Sequence, residues 1–248
     1  MKISVITVVY NGEKTIADTI ESVIGQDFFN KEYIIVDGAS KDGTMRIVSS
    51  YADRIQVLVS EPDRGIYDAM NKGIRLATGD VIGILNADDV YTDSTVLSKV
   101  AATLEGSEMQ GCYGDLVYVD SSGTKVKRKW ISGNYTPDSF LWGWMPPHPT
   151  LFFRREVYEM YGMFNLDMGS AADYELILRM LYKHRVPVGY IPEILVRMRE
   201  GGVSNMSLKN RLKANRNDRE AWRKNGLKPY PFTLWLKPIR KLHQFIVN

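Results

Sequence analysis

Short apolar runs alternate with longer segments of helical periodicity over the first hundred residues. The apolar runs are nearly continuous and have the length of strands buried on both faces. The segments between them repeat apolar residues every three or four positions, as amphipathic helices do. Strands are predicted at 3–9, 33–36, 55–59 and 81–85, and helices at 15–24, 44–51, 67–77 and 94–104. This alternation predicts an α/β fold whose mostly parallel, Rossmann-like sheet is flanked by helices.

The pattern changes after about residue 110. Residues 112–119 and 125–131 predict a hairpin, because a turn-forming segment ending at Gly123 joins two strand-like runs. A further strand at 151–153 and helices at 155–161 and 173–182 follow. The second half is therefore expected to be mixed rather than strictly parallel.

Composition separates the end of the chain from the rest. The 248 residues carry 32 Lys and Arg against 29 Asp and Glu, but eleven of the basic and only two of the acidic side chains lie in residues 207–248. We therefore predict a domain of residues 1–205, with a nucleotide-binding half (1–110) and an acceptor half (111–205). A basic, aromatic, helical extension (206–248) would begin after a boundary near Gly201 and Gly202.

Three classes of protein are excluded at this stage. The hydrophobic content of 44% disfavours disorder, and a single cysteine, Cys112, cannot form an intramolecular disulfide. No run of 18 apolar residues is present, so no membrane span is expected. The simplest expectation is a protein of the reducing cytoplasm.

Acidic residues follow the predicted strands. Because ligands of doubly wound sheets bind beyond the carboxyl ends of the strands, the acids there are candidates for chemistry: Asp37, Asp63, Asp88 and Asp89. Gathered at one edge, they would repel each other unless a cation or ligand balanced them, and Mg²⁺ or Mn²⁺ suits such oxygen ligands. The alternative is that each acid caps a helix or forms a turn. Neither a P-loop nor a dinucleotide-binding glycine motif is present, so phosphate recognition falls to metal and side chains.

Five strings in order resemble the motifs of family 2 glycosyltransferases with the GT-A fold, over about residues 1–205. They are TVVYN (7–11), DGASKDGT (37–44), EPDRGIYDAMNKG (61–73), GD (79–80) and NADD (86–89). The resemblance implies an enzyme that uses a nucleotide-sugar donor and a divalent metal. The extension after residue 206 matches none of these motifs.

By the same resemblance, a set of side chains holds the nucleotide: Thr7, Tyr10, Asn11, Asp37, Asp63, Arg64, Asn86 and Ala87. The family's Asp-x-Asp metal motif corresponds to residues 86–88, with Asn86 in place of the first acid. Asp88 then corresponds to the metal ligand, supported by Asp89. His148 is a further candidate for a metal or diphosphate contact, with a structural role as the alternative.

The resemblance also implies a general base. Asp173 matches the Asp of the family's Glu-Asp motif, in which Ala172 replaces the Glu. Taken locally, Asp173 is equally suited to a first helical turn, where an acid interacts favourably with the helix dipole. Trp142, Trp144 and Glu175 are candidates for the acceptor side, although the two tryptophans could instead pin their loop to the core. The segment 199–204, with its two glycines, resembles one that closes over the donor.

The sequence therefore predicts an inverting glycosyltransferase that transfers a sugar to a hydroxyl of a glycan or lipid-linked acceptor in polysaccharide biosynthesis. Two alternatives stay open: a nucleotidyltransferase of similar sheet architecture, and a non-catalytic module that binds sugar nucleotides or polysaccharide. The basic, aromatic extension suits an anionic membrane on the inner face of the plasma membrane. It could instead pack on protein, while the lack of a named nucleic-acid motif argues against RNA.

Overall fold

One sheet of nine strands organises the computed structural model, which describes residues 1–200 and 208–243. The strands are β1 Ile3–Val9, β2 Lys31–Asp37, β3 Val57–Ser60, β4 Val81–Ile84, β5 Asp89–Tyr91, β6 Gly111–Val119, β7 Val126–Trp130, β8 Phe152–Arg154 and β9 Val188–Arg199. The helices are α1 Ile16–Ile24, α2 Thr44–Ser49, α3 Ile66–Leu76, α4 Val96–Leu104, α5 Arg155–Tyr161, α6 Ala172–Ile177, α7 Leu208–Lys224 and α8 Thr233–His243. The strand order is β3-β2-β1-β4-β8-β6-β9-β5, with β7 beside β6.

The first four strands are parallel, as predicted. β1 pairs with β2 over its whole length, from Ile3 opposite Lys31 to Val9 opposite Asp37, and with β4 on its other side. Every residue of β1 and β4 is buried, so both faces of these strands lie in the core. β3 alternates between half-buried and exposed positions because it is the edge strand.

Apolar residues of β1 alternate between two cores. Val5 and Val9 belong to a cluster with α1 and α4, whereas Ile6 and Val8 belong to one with α3, α5 and α6. Gly73 lets α3 approach the sheet, because a Cβ there would lie 2.3 Å from Cγ2 of Ile6. Helices therefore cover both faces, which confirms the predicted α/β class.

The second half of the sheet is mixed. β8 is antiparallel to β4 and β6, and the predicted β6–β7 hairpin is present. Two strands were not predicted. β5 has only three residues, too few for a pattern, and β9 contains Pro192, which argues against a central strand. Pro192 is accommodated because the β6–β9 register shifts there, with Tyr113 opposite Tyr190 but Asp115 opposite Ile194.

The two C-terminal helices pack on the body. In α7, Trp222 is fully buried, and its indole N–H donates to the Tyr174 hydroxyl at 2.9 Å. In α8, the Thr233 hydroxyl donates to the carbonyl of Leu141, and a Cβ on Gly143 would lie 2.5 Å from the Lys237 backbone nitrogen. None of the helices in the described ranges is long and apolar enough to cross a bilayer. The predicted boundary at Gly201 and Gly202 lies outside the described residues.

Glu32 on β2 is buried and carries a charge that its neighbours stabilise. It accepts hydrogen bonds from the Ser4 hydroxyl, from the Thr78 backbone N–H and hydroxyl, and from Lys2 Nζ at 2.9 Å. Burial alone would raise the pKa of Glu32, but these donors outweigh burial and lower the pKa to about 2. The carboxylate therefore ties β1, β2 and the segment before β4 together.

Replacing Trp222 with Ala should destabilise the whole protein by about 3 to 5 kcal/mol, because the change leaves a large cavity between α7 and α6. Trp235→Ala, which removes an exposed tryptophan from the same extension, is the matched control and should change little. Urea unfolding of both variants measures the difference. Equal, small effects would show that α7 adds nothing to the stability of the body.

Glu32→Gln should destabilise the protein by about 2 kcal/mol at pH 7. The folded-state pKa lies below the ordinary value of 4.5, so the stabilisation is present above that value and is lost as the pH falls toward 2. Unfolding curves of the two proteins should therefore converge at low pH. Glu108→Gln, at an exposed position, is the control. A difference that stays constant with pH would contradict the electrostatic explanation.

Candidate active site

Asp37 lies at the aligned ends of the first three strands. It is the last residue of β2, opposite Val9 of β1 and Ser60 of β3. Its fully buried carboxylate accepts hydrogen bonds from the Ser60 hydroxyl at 2.6 Å and from the Ser40 backbone N–H and hydroxyl. These donors fix the orientation of the Asp37 carboxylate at the carboxyl ends of the strands.

The loops after β1 and β2 are joined by reciprocal hydrogen bonds. The Asn11 backbone N–H donates to Ser40 Oγ at 2.8 Å, and Asn11 Oδ1 accepts from the Lys41 backbone N–H at 2.8 Å. Asn11 has a φ of 50°, a left-handed conformation that Asn tolerates better than most residues. Gly12 donates to the Thr44 hydroxyl, which ties the same loop to α2. Asn11 thus shapes the loop.

Tyr10, Gly38 and Asp63 form one corner of the edge. A Cβ on Gly38 would lie 2.5 Å from Asp63 Oδ2 and 3.4 Å from the Tyr10 ring. The Tyr10 ring is 64% exposed, so an aromatic face is presented beside the Asp63 carboxylate. Such a corner can stack on a planar base and accept its N–H groups. Arg64 is exposed nearby and pairs with Asp68 at 3.7 Å.

Thr7 does not reach this corner. It lies inside β1, two residues before the strand ends, with a fully buried side chain whose hydroxyl accepts from the Tyr33 hydroxyl at 3.1 Å. The alternation of β1 directs it into the core beneath α1 and α4. In this structure the Thr7 side chain therefore faces the core, and a contact from Thr7 to a nucleotide stays a prediction.

The acidic loop after β4 has more polar atoms than partners. The Asn86 amide donates to Asp89 Oδ2 at 3.1 Å, and the Asp89 backbone N–H donates to the Asn86 carbonyl. Burial, together with the charge of Asp88, holds the pKa of Asp89 well above its ordinary value. Burial also raises the pKa of Asp88.

Two side-chain oxygens of this loop lack partners among the described residues. Asn86 Oδ1 and Asp89 Oδ1 are both buried and accept no hydrogen bond there. Ala87 is buried beside Gly12.

This loop fits a divalent cation that shares its shell with a ligand. Within residues 1–200 and 208–243, no three His, Cys, Asp or Glu side chains form a ready-made metal cage. Mg²⁺ and Mn²⁺ do not need one, because they commonly take one or two carboxylates and complete their shell with phosphate oxygens and water. A cation would also offset the repulsion and desolvation at Asp88 and Asp89, and it would suit the unpartnered oxygen of Asn86.

Arg199, the first residue of the predicted closing segment 199–204, adds a cation beside this loop. It pairs with Asp18 of α1, and its backbone N–H and its charge act on the Asp89 carboxylate. Its Nε and Nη1 have no partner in the described part of the chain. Residues 201–204 of the glycine-containing segment lie outside the described residues.

Asp173 is the second residue of α6 and faces Tyr67 of α3. Burial, together with the nearby charge of Asp173, raises the pKa of Tyr67. The hydroxyl therefore stays protonated and can donate to the carboxylate. Tyr67 is also a functional candidate that the sequence analysis missed, although it lies within the motif 61–73 that signalled the family.

Phe164 packs against both Tyr67 and His148. Its ring lies 5.3 Å from the Tyr67 ring and 5.4 Å from the His148 ring. Asn71 fixes its backbone, donating to the Phe164 carbonyl and accepting from the Phe164 N–H, each at 2.9 Å. Burial lowers the pKa of His148, while the Asp173 charge acts in the opposite direction. His148 therefore lies beside Asp173 rather than among the acids after β4.

Trp144 and Glu175, two of the acceptor-side candidates, are buried and held by partners within the body. Trp144 is only 5% exposed, and its indole N–H donates to the Ser132 carbonyl at 2.7 Å. Glu175 is buried and pairs with Arg179 at 2.9 Å, which in turn binds the carbonyls of residues 161–163. Trp142 is 52% exposed but contacts the C-terminal extension through Phe232. The segment 139–144 carries both of these tryptophans, and we call it the tryptophan loop. It is anchored to the core through the indole of Trp144.

Comparisons with known proteins agree on one family. The family model for glycosyl transferase family 2 matches residues 4–164. A PGL/p-HBAD biosynthesis glycosyltransferase of Mycobacterium tuberculosis is 29% identical over 206 residues, which cover 82% of this chain and 78% of the relative.

Solved structures agree on the fold. Staphylococcus aureus TarS 1–349 in complex with UDP has a TM-score of 0.69 at 19% identity, covering 100% of this chain and 73% of TarS. The mannosyltransferase of Pyrobaculum calidifontis in complex with GDP-Man and Mn²⁺ has a TM-score of 0.66 at 22% identity, covering 98% of this chain and 70% of that one. These likenesses confirm the predicted GT-A fold.

Proposed function

The chain belongs to glycosyl transferase family 2, and from this premise we propose that it moves a sugar from a nucleotide-sugar donor to an acceptor hydroxyl with inversion at the anomeric carbon. The observation that carries the proposal is the buried acidic loop after β4, which lies within the part of the chain that the family model matches. Asn86 Oδ1 and Asp89 Oδ1 in this loop have no partner among the residues that the structure describes, and burial raises the pKa of both Asp88 and Asp89. Buried carboxylates without partners suit a cation and the diphosphate of a donor.

The donor half of the proposal rests on the edge formed by β1, β2 and β4. Tyr10 would stack on the base, with Asp37 and Asp63 accepting its hydrogen-bond donors and Asn11 shaping the loop. Arg64 lies exposed beside the same corner. UDP in TarS and GDP-Man in the archaeal mannosyltransferase support a nucleoside diphosphate sugar as the donor class.

The metal half rests on the loop after β4. Asp88 would hold Mn²⁺ or Mg²⁺, with Asn86 and Asp89 supporting the site. When bound, the cation neutralises charge on the departing diphosphate. The Mn²⁺ complex of the archaeal mannosyltransferase supports this assignment. Asn86 supplies a neutral oxygen where the family motif has a carboxylate. Asp88 would therefore contribute the greater part of the binding of the cation.

Asp173 would act as the general base. Its carboxylate accepts the proton of the acceptor hydroxyl while that oxygen attacks the anomeric carbon from the face opposite the nucleotide. In this proposal the protonated Tyr67 hydroxyl would donate to the carboxylate and orient it, and His148 lies within the electrostatic reach of Asp173. One displacement inverts the anomeric centre, so no covalent nucleophile of the enzyme is needed.

A glycan or a lipid-linked saccharide in polysaccharide biosynthesis is the acceptor class that we propose. The relative of Mycobacterium tuberculosis is named for PGL/p-HBAD biosynthesis, which supports a biosynthetic role for this chain. In this proposal the enzyme works in the cytoplasm, peripheral to the inner face of the plasma membrane.

Donor binding should stabilise the protein in a metal-dependent way. A nucleotide present at 100 times its dissociation constant adds about 2.7 kcal/mol to the free energy of unfolding. Thermal unfolding with UDP, GDP, dTDP and their sugars, with and without Mn²⁺, measures the effect. Asp88→Asn should remove the Mn²⁺-dependent part, whereas Asp53→Asn, in a turn before β3, should keep it. A full Mn²⁺-dependent shift in Asp88→Asn would contradict the metal assignment.

Removing the base should abolish turnover but not donor binding. Asp173→Asn should slow release of nucleoside diphosphate by about 10² to 10⁴-fold, the usual contribution of a general base, with the thermal shift retained. Tyr67→Phe should lower kcat by a smaller factor and leave KM for the donor nearly unchanged. Asp167→Asn, at an exposed acid six residues earlier, is the control.

The stereochemistry is tested with the same reaction. NMR of the sugar released to water, recorded before mutarotation, should show the anomer opposite to that of the donor. Retention of configuration would overturn the inverting mechanism. For the Asp173→Asn variant, loss of the donor-induced thermal shift would contradict the role of general base, because it would show that Asp173 is needed for donor binding.

A further inference from the structure

An apolar surface lies exposed where α8 meets the tryptophan loop. Its members are Trp142, Tyr230, Phe232, Trp235 and Ile239, each between 41% and 63% exposed; we call them the aromatic patch. Trp142 comes from the body, yet its ring lies 5.6 Å from Phe232 and 6.4 Å from Tyr230. Two segments some ninety residues apart therefore build one continuous surface.

The orientation of α8 is the reverse of an ordinary surface helix. Thr233, Leu234 and Lys237 point inward, where Thr233 and Leu234 are buried and Lys237 pairs with Asp218 at 2.6 Å. Trp235 and Ile239, four residues apart on one face, point outward together with the charged Arg240. A helix that exposes a tryptophan and an isoleucine beside an arginine, while Lys237 is held in an ion pair, is suited to a partner that is not water.

The charge around the aromatic patch defines that partner. Six basic side chains are exposed in the described part of the extension: Arg216, Arg219, Arg223, Lys224, Lys228 and Arg240. The two acidic side chains there, Asp218 and Glu220, are already in ion pairs. The two-fold dimer that would bury the patch against itself brings two such sets of basic side chains together and is opposed by their repulsion. Anionic lipid has the complementary charge, and tryptophan and tyrosine favour the boundary between headgroups and acyl chains.

We propose that the aromatic patch docks on an anionic lipid bilayer and that α8 lies along the membrane surface. Trp142, Trp235 and Ile239 would enter the interface, while the basic side chains of the extension, such as Lys228 and Arg240, meet the headgroups. This deepens the proposed function, on which it rests for a lipid-linked acceptor. Because Thr233 and Gly143 lock α8 to the tryptophan loop, the membrane would hold the acceptor half directly.

The test is flotation of the full chain with vesicles of phosphatidylglycerol and phosphatidylcholine, and with phosphatidylcholine alone. The unmodified protein should bind the anionic vesicles, and added salt should weaken the binding. The double variant Trp235→Ser, Ile239→Ser should bind at least tenfold more weakly. Phe29→Ser, which removes a 98% exposed aromatic outside the patch, should bind like the unmodified protein.

Two further measurements keep the outcomes distinct. Thermal unfolding should show that the double variant is folded, and its release of nucleoside diphosphate from a soluble donor should be unchanged. The vesicle assay needs neither donor nor acceptor, so failure of the proposed reaction leaves it intact. Equal binding of all variants would overturn the proposal. So would a dimer in light scattering that the double variant dissociates while no protein floats with vesicles.

Discussion

The register of β1 with its parallel neighbours is the constraint on which the rest of the structure depends. β2 pairs with β1 as far as Asp37 opposite Val9, and β3 pairs with β2 as far as Ser60. The carboxyl ends of these three strands therefore stop at the same height, whereas β4 ends opposite Ile6. The loops after β1 and β2 therefore begin side by side and are joined by short hydrogen bonds. A slip of one residue would turn Asp37 toward the opposite face and separate it from Ser60. Core packing on both faces prevents that slip.

The same arrangement of strands also buries carboxylate groups, and a charge is unfavourable in the core. Asp37 is balanced by three donors, and Glu32 by four. Asp88 and Asp89 have no comparable set, and burial opposes their ionisation. The fold thus supplies donors to Asp37 and Glu32, which hold the strands together. It does not neutralise Asp88 and Asp89, the pair that would face the proposed cation. Such an imbalance is characteristic of sites completed by a ligand.

The sequence predicted the first half of the fold because nearly every strand there is an uninterrupted apolar run. It did not predict β9, since Pro192 masks a strand that a register shift accommodates, nor β5, which is too short to have a period. Local pattern also could not distinguish an exposed tryptophan from a buried one. Trp142 and Trp144 are two residues apart in one loop, and only tertiary packing separates them. The position of Asp173 followed from resemblance, but its partner Tyr67 required knowledge of a contact across more than a hundred residues.

The two hydrogen bonds between Asn71 and Phe164 have a consequence for the order in which the protein is made. They span 93 residues, and loop closure of that length is slow compared with the formation of local helices. The parallel strands β1 to β3 can pair while the ribosome is still adding the second half of the chain. Tyr67 and Asp173 can meet only after both partners of this closure have emerged. During synthesis, the chain would thus form the corner around Asp37 well before Asp173 comes near Tyr67.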